Sequence, residues 1–222
     1  MPAPNLILAS NSPRRRQMIA WLGWPHRVHV TGVDESALDG EAPSAYVQRL
    51  ALEKCRAAAQ ECPPGSLIIA ADTTVADGAE LLGKPEDAAG ARRMLSQLRG
   101  RAHQVLSAVA LSADCGQTLI SEMCISPVQM RRYSDTEMEA YIASGDPLDK
   151  AGAYAIQNAA FHPVEGFSGC FASVTGLPLC HLLRALRGMG LEPPADVPSA
   201  CQEFYTYRCP ISAAVLRGEA VG

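Results

Sequence analysis

Residues 67–72 have the sequence Leu67-Ile68-Ile69-Ala70-Ala71-Asp72, and the first five of them are the most strand-like apolar run in the chain. A short aliphatic run bounded by turn residues is typical of a buried strand, and Pro63-Pro64-Gly65 supplies the break before it. We expect this strand to carry Asp72 at its C-terminal end. A carboxylate in that position is well placed to bind a metal or to act as a general base.

Strand and helix signals alternate around this run. Residues 6–22 predict a strand, a tight turn and a helix that Ser12 caps and Pro13 begins. Further helices are predicted at about 43–60, 87–98, 135–145 and 178–188, strands at 102–111 and 118–130, and short strands within 153–175. Because β-α units are combined with a hairpin, the fold class is α/β (α+β) with a mixed sheet.

Composition limits the classes of function. The chain has 222 residues, of which 48% are hydrophobic, and its net charge is −4 with a pI near 5.7. An acidic balance argues against a broad surface for a nucleic acid polymer. It still allows a small anionic ligand, for which a local cluster of cations suffices.

Localisation is predicted from features that the sequence lacks. The eight cysteines include no C-x-x-C pair, which favours reduced thiols in a cytoplasmic protein. The start, Met1-Pro2-Ala3-Pro4, lacks the regions of a signal peptide. No apolar run reaches the roughly 18 residues that a membrane span needs. We therefore expect a cytoplasmic protein without a membrane partner.

The first predicted turn and helix carry a basic cluster. Ser10, Arg14, Arg15 and Arg16 lie where a strand ends and a helix begins. Cations oppose the dipole at a helix N-terminus, and that cost is understandable if a phosphate chain binds between them. A solvated basic turn is the other interpretation. The chain has no P-loop, so a phosphate site here would be of another type.

The other charged candidates are two carboxylates and two lysines. Glu35 lies in a predicted loop, and with Asp72 it offers the oxygen ligands that Mg²⁺ or Mn²⁺ prefers. Ordinary turn acids would give the same pattern. Lys54 falls on or beside the apolar face of its helix. Its charge there needs either a buried partner or a side chain that extends to water. Lys84 sits in a Gly-Lys-Pro turn and says little by itself.

Seven blocks resemble, in order, the Maf family of nucleotide pyrophosphatases, over roughly residues 5–188. They are Leu6 to Arg15, Asp34-Glu35, Glu53-Lys54, Ala71-Asp72-Thr73, Leu82-Gly83-Lys84-Pro85, Asp149 to Gln157, and Gly176-Leu177-Pro178-Leu179. The resemblance implies a mixed-sheet fold like that of inosine-triphosphate pyrophosphatases, with two lobes around a cleft. It also implies a divalent metal, cytoplasmic nucleotide hydrolysis, often a homodimer, and a historical link to septum formation. The matched core is taken as residues 1–190, and residues 191–222 are called the C-terminal extension, of unknown role.

The resemblance also assigns roles to individual residues. Ser10, Arg14 and Arg15 become phosphate contacts, and Lys54 and Lys84 become cations on the triphosphate. Glu35 becomes a metal ligand or a holder of metal-bound water, and Asp72 becomes the general base and a candidate metal ligand. Gln157 matches the position that accompanies dTTP and UTP use in one branch of the family, so we expect a pyrimidine nucleotide as substrate.

The chain departs from the family pattern in the block that follows Gln157. Asn158 stands where the family has glycine, and the spacing of Ala159 to Ser173 is unusual. This departure puts base specificity in question more than phosphate chemistry. Two alternatives stay open: a nucleotide-binding regulator with little hydrolysis, or an interaction protein of cell division that uses the extension.

Overall fold

The computed structural model describes residues 3–222. The strands are β1 (Asn5–Ala9), β2 (His26–Val28), β3 (Ser66–Asp77), β4 (Glu80–Leu82), β5 (Ala102–Ser112) and β6 (Ile120–Gln129). The helices are α1 (Pro13–Ala20), α2 (Pro43–Glu61), α3 (Ala88–Leu98), α4 (Asp135–Ala143), α5 (Phe171–Thr175), α6 (Leu179–Gly188), α7 (Val197–Tyr205) and α8 (Ser212–Leu216). Two short 3-10 turns cover Asp146–Asp149 and Ala151–Ala153.

One mixed sheet organises these elements. Its strand order is β2-β1-β3-β5-β6, and β4 pairs with β3 outside that path. The pairs of β1 with β2 and with β3 are parallel, whereas those of β3 with β5 and of β5 with β6 are antiparallel. The predicted fold class, α/β (α+β) with a mixed sheet, is confirmed.

Local signals explain where the helices begin. Ser12 accepts a hydrogen bond from the backbone of Arg15, and Pro13 opens α1, as the sequence predicts. Ser134 and Glu137 form a complete capping box at the start of α4. These caps satisfy backbone N–H groups that a helix leaves unpaired at its start.

The alternation of side chains along the inner strands divides the core between the two faces of the sheet. Leu6 and Leu8 pack with α1 and α6, and Ile7 and Ala9 pack with α2 on the opposite face. A third apolar cluster joins α3 and α4 to the far halves of β3 and β5. Helices thus cover both faces, as the two-residue period of buried strands requires.

Strand β3 is longer than predicted. We expected it to end at Asp72, but it continues to Asp77. Its parallel pairing with β1 stops at Ala70, whereas its antiparallel pairing with β5 runs from Ile68 to Ala76 and that with β4 from Val75 to Asp77. Asp72 therefore lies inside the strand, two residues past the end of the parallel ladder, and not at a strand terminus.

The short strands predicted within 153–175 are wrong. The segment forms turns and α5, and its single β-bridge joins Met130 to Val164. Side chains hold it instead: Asn158 donates to Asp146 at 3.1 Å and accepts from the Phe161 backbone at 2.8 Å. Asn158, which replaces the family's glycine, thus stabilises a turn.

The C-terminal extension contains two helices that the sequence pattern did not reveal, α7 and α8. Val197 and Val215 are buried, and Val197 belongs to the apolar cluster of α1 and α6. All eight cysteines are free thiols, and two of them, Cys201 and Cys209, lie in the extension. Between residues 3 and 222, no helix is both long and apolar enough to cross a membrane.

Candidate active site

A cavity of about 350 Å³ opens beside the point where the parallel ladder of β1 and β3 ends. Its volume lies within the range of small-molecule sites. Every predicted site residue contributes to its wall: Ser10, Arg14, Arg15, Glu35, Lys54, Asp72, Lys84 and Gln157. Residues separated by up to 147 positions in the chain therefore meet at one site, although their individual roles stay predictions.

Lys54 joins the two carboxylates of the cavity. Its ammonium nitrogen lies 2.7 Å from Oδ1 of Asp72 and 2.5 Å from Oε1 of Glu35. Helix α2 supplies Lys54, β3 supplies Asp72, and the irregular segment after β2 supplies Glu35. The side chains of Lys54 and Asp72 are only 12% and 10% exposed, so of the two alternatives for Lys54, a buried partner and a side chain that extends to water, the structure shows the buried partner.

Glu35 is the more accessible acid, with 57% of its side chain exposed. Burial raises the pKa of Glu35, but the hydrogen bond and charge of Lys54, followed by the charge of Lys84, outweigh it and lower that pKa overall. Its neighbour Asp34 points elsewhere and accepts the backbone N–H of Ser36 at 2.9 Å. Of the two acids in the Asp34-Glu35 block, Glu35 lines the cavity and Asp34 does not.

The arginines of α1 divide between two tasks. Arg15 donates to the carbonyl oxygens of Ala71 and Gly176, each at 2.7 Å, and to Oγ1 of Thr73 at 3.1 Å. Most of its N–H groups are thus used within the protein. Burial lowers the pKa of Arg15, Asp72 opposes that shift, and Arg14 adds to it.

Arg14 is more available to a ligand than Arg15. Its side chain is 31% exposed, and its nearest carboxylate, Asp149, lies 3.7 Å away. Arg16 turns away and bonds to the side chain of Asn11 at 2.5 Å. The basic cluster therefore places two guanidinium groups at the cavity. That of Arg14 is accessible, and that of Arg15 is hydrogen-bonded within the protein.

Lys84 is exposed, and it makes no ion pair with any residue from 3 to 222. Its turn is fixed by the backbone of Gly83, which accepts the N–H of Gly152 at 3.1 Å. This bond connects the Gly-Lys-Pro turn to the block from Asp149 to Gln157. The arrangement leaves the ammonium group of Lys84 available to an anion.

Asp149 and Lys150 form an ion pair, at 2.5 Å, that also lines the cavity. Lys150 additionally donates to the Asp146 carbonyl at 2.6 Å, so the pair stabilises the turn that leads to Gln157. The exposed side chain of Gln157 makes no hydrogen bond within the described part of the chain. Its amide is free to contact a ligand.

Part of the wall was missing from the sequence prediction. Its members are apolar or uncharged: Val30, Thr31, Thr73, Val75, Val105, Tyr154, Ile156, Val174, Thr175 and Gly176. Such residues are common in any core, so composition gives no signal for them. Thr73, Tyr154, Ile156 and Gly176 lie within the motif blocks, and that membership is the sign the sequence offers for them.

The side chains of the cavity could hold a divalent cation only if a bound ligand supplied further oxygen atoms to it. From residue 3 to 222, no group of three or more His, Cys, Asp or Glu side chains could hold a metal ion. Glu35 and Asp72 supply two hard carboxylates, and Mg²⁺ is commonly held by one or two carboxylates plus substrate phosphates and water. Nucleotide phosphates would complete such a site.

Comparison with known proteins finds one family and a set of similar enzymes. Residues 5–189 match the family described as Maf-like protein. The dTTP/UTP pyrophosphatase of Anaeromyxobacter dehalogenans strain 2CP-1 is 44% identical over 198 residues, which cover 88% of this chain and 100% of that protein. The dTTP/UTP pyrophosphatase of Myxococcus xanthus is 47% identical over 189 residues, covering 85% of this chain and 94% of that one.

Solved structures are more distant. The nucleoside-triphosphatase, or dITP/XTP pyrophosphatase, of Mycobacterium abscessus has a TM-score of 0.45 at 16% identity, covering 83% of this chain and 94% of that chain. A HAM1 protein from Coxiella burnetii has a TM-score of 0.44 at 16% identity, covering 59% and 74%.

Proposed function

This chain belongs to the Maf family, and on that premise we propose that it hydrolyses a nucleoside triphosphate, dTTP or UTP, to the monophosphate and pyrophosphate. The observation that carries the proposal is the position of Lys54 between Glu35 and Asp72, in a cavity that also holds Arg14 and Lys84. Phosphate transfer needs cations for the leaving group and a carboxylate for the attacking water. This cavity offers both.

In the proposed reaction, a water oxygen bonds to the α-phosphorus while the bond from that phosphorus to the bridging oxygen of the β-phosphate breaks. The water proton passes to the Asp72 carboxylate, and pyrophosphate leaves. Arg14, Lys54 and Lys84 neutralise the charge that grows on the leaving group. Arg15 holds the strand on both sides of Asp72, and Ser10 and Gln157 contact the nucleotide.

Glu35 and Asp72 would hold the divalent metal, Mg²⁺ or Mn²⁺. When bound, such an ion polarises phosphoryl oxygens and lowers the pKa of water. Lys54 contacts both carboxylates, so its ammonium and a cation compete for the same oxygens. We therefore expect metal affinity to be weak without nucleotide and to rise when phosphate oxygens complete the shell.

The remaining family properties belong to the same proposal. We propose a cytoplasmic enzyme of nucleotide metabolism that assembles as a homodimer. A connection to septum formation follows from the family resemblance alone, and a division phenotype in a deletion strain would test it.

The decisive experiment measures pyrophosphate release from a panel of canonical and modified nucleoside triphosphates, with Mg²⁺, with Mn²⁺ and with chelator. Metal-dependent release that is strongest with dTTP or UTP is the expected result. Preference for another base would keep the activity and refute the role of Gln157. Tight nucleotide binding without release would instead favour a nucleotide-binding regulator.

Calorimetric titration tests the metal separately. Mg²⁺ or Mn²⁺ is titrated into the protein alone and into the protein with a non-hydrolysable triphosphate, and Glu35→Gln is the variant that removes one carboxylate. Equal metal affinity with and without nucleotide would contradict a site that phosphate completes.

A further inference from the structure

The C-terminal extension lies outside the family match, which ends at residue 189, yet it is firmly attached to the core. Arg184 of α6 donates to the carbonyl of Glu219 at 2.9 Å, and a ring nitrogen of His181 lies 3.2 Å from the carbonyl of Val221. Val197 and Val215 are fully buried. Such contacts fix the position of the extension relative to the sheet.

Tyr205, at the end of α7, reaches a residue of the cavity wall. Its hydroxyl lies 2.7 Å from Oγ1 of Thr175, and Thr175 lines the cavity. The Thr175 hydroxyl also lies 3.1 Å from the carbonyl of Ala172, and the Tyr205 hydroxyl lies 3.3 Å from the sulfur of Met18, so either hydroxyl can donate in the bond between them. The Tyr205 ring also packs on Phe171, with 4.6 Å between ring centroids.

Tyr207 holds the segment that precedes α5. Its hydroxyl donates to the Gly169 carbonyl at 3.0 Å and accepts the Gly169 N–H at 3.1 Å. Its ring lies 5.7 Å from that of Phe167. This segment is where the spacing departs from the family pattern, so the two unusual parts of the chain contact each other.

Arg15 connects the end of this segment to strand β3, which carries Asp72. Gly176 follows Thr175, and its carbonyl accepts from Arg15, which also bonds to Ala71 and Thr73 on either side of Asp72. We propose that the extension braces this wall of the site, and that Tyr205 and Tyr207 are positioning residues acting through Thr175 and Gly176. The structural part of this proposal depends only on the contacts of the extension. The expected effect on kcat/KM rests on the proposed function.

The test substitutes Tyr205→Phe in the full chain, which removes one hydroxyl and keeps the ring. One lost hydrogen bond of ordinary strength corresponds to roughly a twofold to tenfold effect, and we expect a fall of that size in kcat/KM for the preferred triphosphate. The matched control is Tyr133→Phe, which removes a hydroxyl bonded to the Leu95 carbonyl at 2.7 Å in the apolar cluster of α3 and α4. The control is expected to lower Tm without changing kcat/KM.

Hydrogen exchange gives a second readout that needs no activity. The Gly176 N–H bonds to the carbonyls of Ala172 and Ser173 at 3.1 and 2.9 Å, and its exchange is expected to accelerate in Tyr205→Phe and Tyr207→Phe but not in Tyr133→Phe. Unchanged exchange and unchanged kcat/KM in both extension variants would overturn the brace. So would equal losses of kcat/KM in Tyr205→Phe and Tyr133→Phe, because they would mark a merely structural role. If the wild type releases no pyrophosphate, the proposed function fails and exchange alone decides the brace.

Discussion

The ammonium nitrogen of Lys54 lies 2.7 Å from Oδ1 of Asp72, with both side chains largely withdrawn from water. Burying a charged carboxylate costs much free energy unless a partner of opposite charge lies beside it. The pair therefore holds a carboxylate ready in the cavity wall while limiting its electrostatic repulsion of an incoming triphosphate.

Asp72→Asn tests this assignment. The amide keeps the shape of the side chain but cannot accept a proton from water, so kcat should fall by about 10²–10⁴-fold while the nucleotide still binds. Steady-state kinetics and equilibrium binding measure the two effects. Asp77→Asn is the control, because Asp77 lies on the same strand and is also ion-paired, to Arg101. Near-wild-type kcat in Asp72→Asn would refute the general-base role.

Gln157→Ala tests base selection. The amide of Gln157 is exposed on the cavity wall, and loss of one hydrogen bond to a pyrimidine should lower kcat/KM for dTTP and UTP by roughly twofold to tenfold. Values for other triphosphates should hardly change. In the control, Asn158→Gly, we expect lower stability and an unaltered base preference, because Asn158 stabilises its turn. A uniform loss across all bases in Gln157→Ala would argue against recognition of the base.

Gly152→Ala probes the contact between the Asp149–Gln157 block and β3. Gly152 has φ +69°, and a Cβ there would lie 2.9 Å from Cγ2 of Val75. Gly145→Ala is the control, since its φ is +76° but a Cβ would meet nothing within 4 Å. Left-handed backbone alone costs about 1 kcal/mol, so urea unfolding should show that loss in Gly145→Ala and a larger one in Gly152→Ala. Equal losses of unfolding free energy in the two variants would mean that the Val75 side chain can move aside at no cost in stability.

His103 makes stability depend on pH. Burial lowers the pKa of His103 from 6.5 to about 4, so between those values the unfolded chain binds a proton that the folded chain does not. Its contribution to stability is complete above pH 6.5 and is lost as the pH falls towards 4. A shift of that size corresponds to about 3 kcal/mol. Denaturant unfolding at several pH values should give a shallower decline for His103→Leu than for the wild type, whereas parallel declines would exclude His103 as the cause.

The parts of the fold that sequence could predict depend on neighbours in the chain. The caps at Ser12 and Ser134 and the apolar period of α2 are local signals, and each matched a helix. The candidate site residues were assembled from ordered motif blocks, and they do share one cavity. Local pattern alone left the acids and the basic turn ambiguous, because carboxylates and arginines are common on any surface.

The parts that failed depend on partners distant in sequence. Strand β3 continues past Asp72 because β5 still pairs with it there and β4 pairs with its last three residues. The sequence of residues 67–77 contains no signal for the change from β1 to β4. Helices α7 and α8 are short, and their buried faces rest on few residues, such as Val197 and Val215. The length of β3 and the presence of α7 and α8 are both decided by tertiary packing. A short window of sequence does not reveal such packing.

The bond between Arg15 and the carbonyl of Gly176 joins positions 161 residues apart. Chains are synthesised from the N-terminus, and domains fold as their residues emerge. On the ribosome, the cavity residues Ser10, Glu35, Lys54, Asp72 and Lys84 are all made long before residue 176, so Arg15 in a nascent chain can bond to Ala71 and Thr73 before the carbonyl of Gly176 exists. A product of translation truncated before residue 176 would thus lack the bond that joins α1 to the wall after α5, even when it holds every acid and lysine of the cavity.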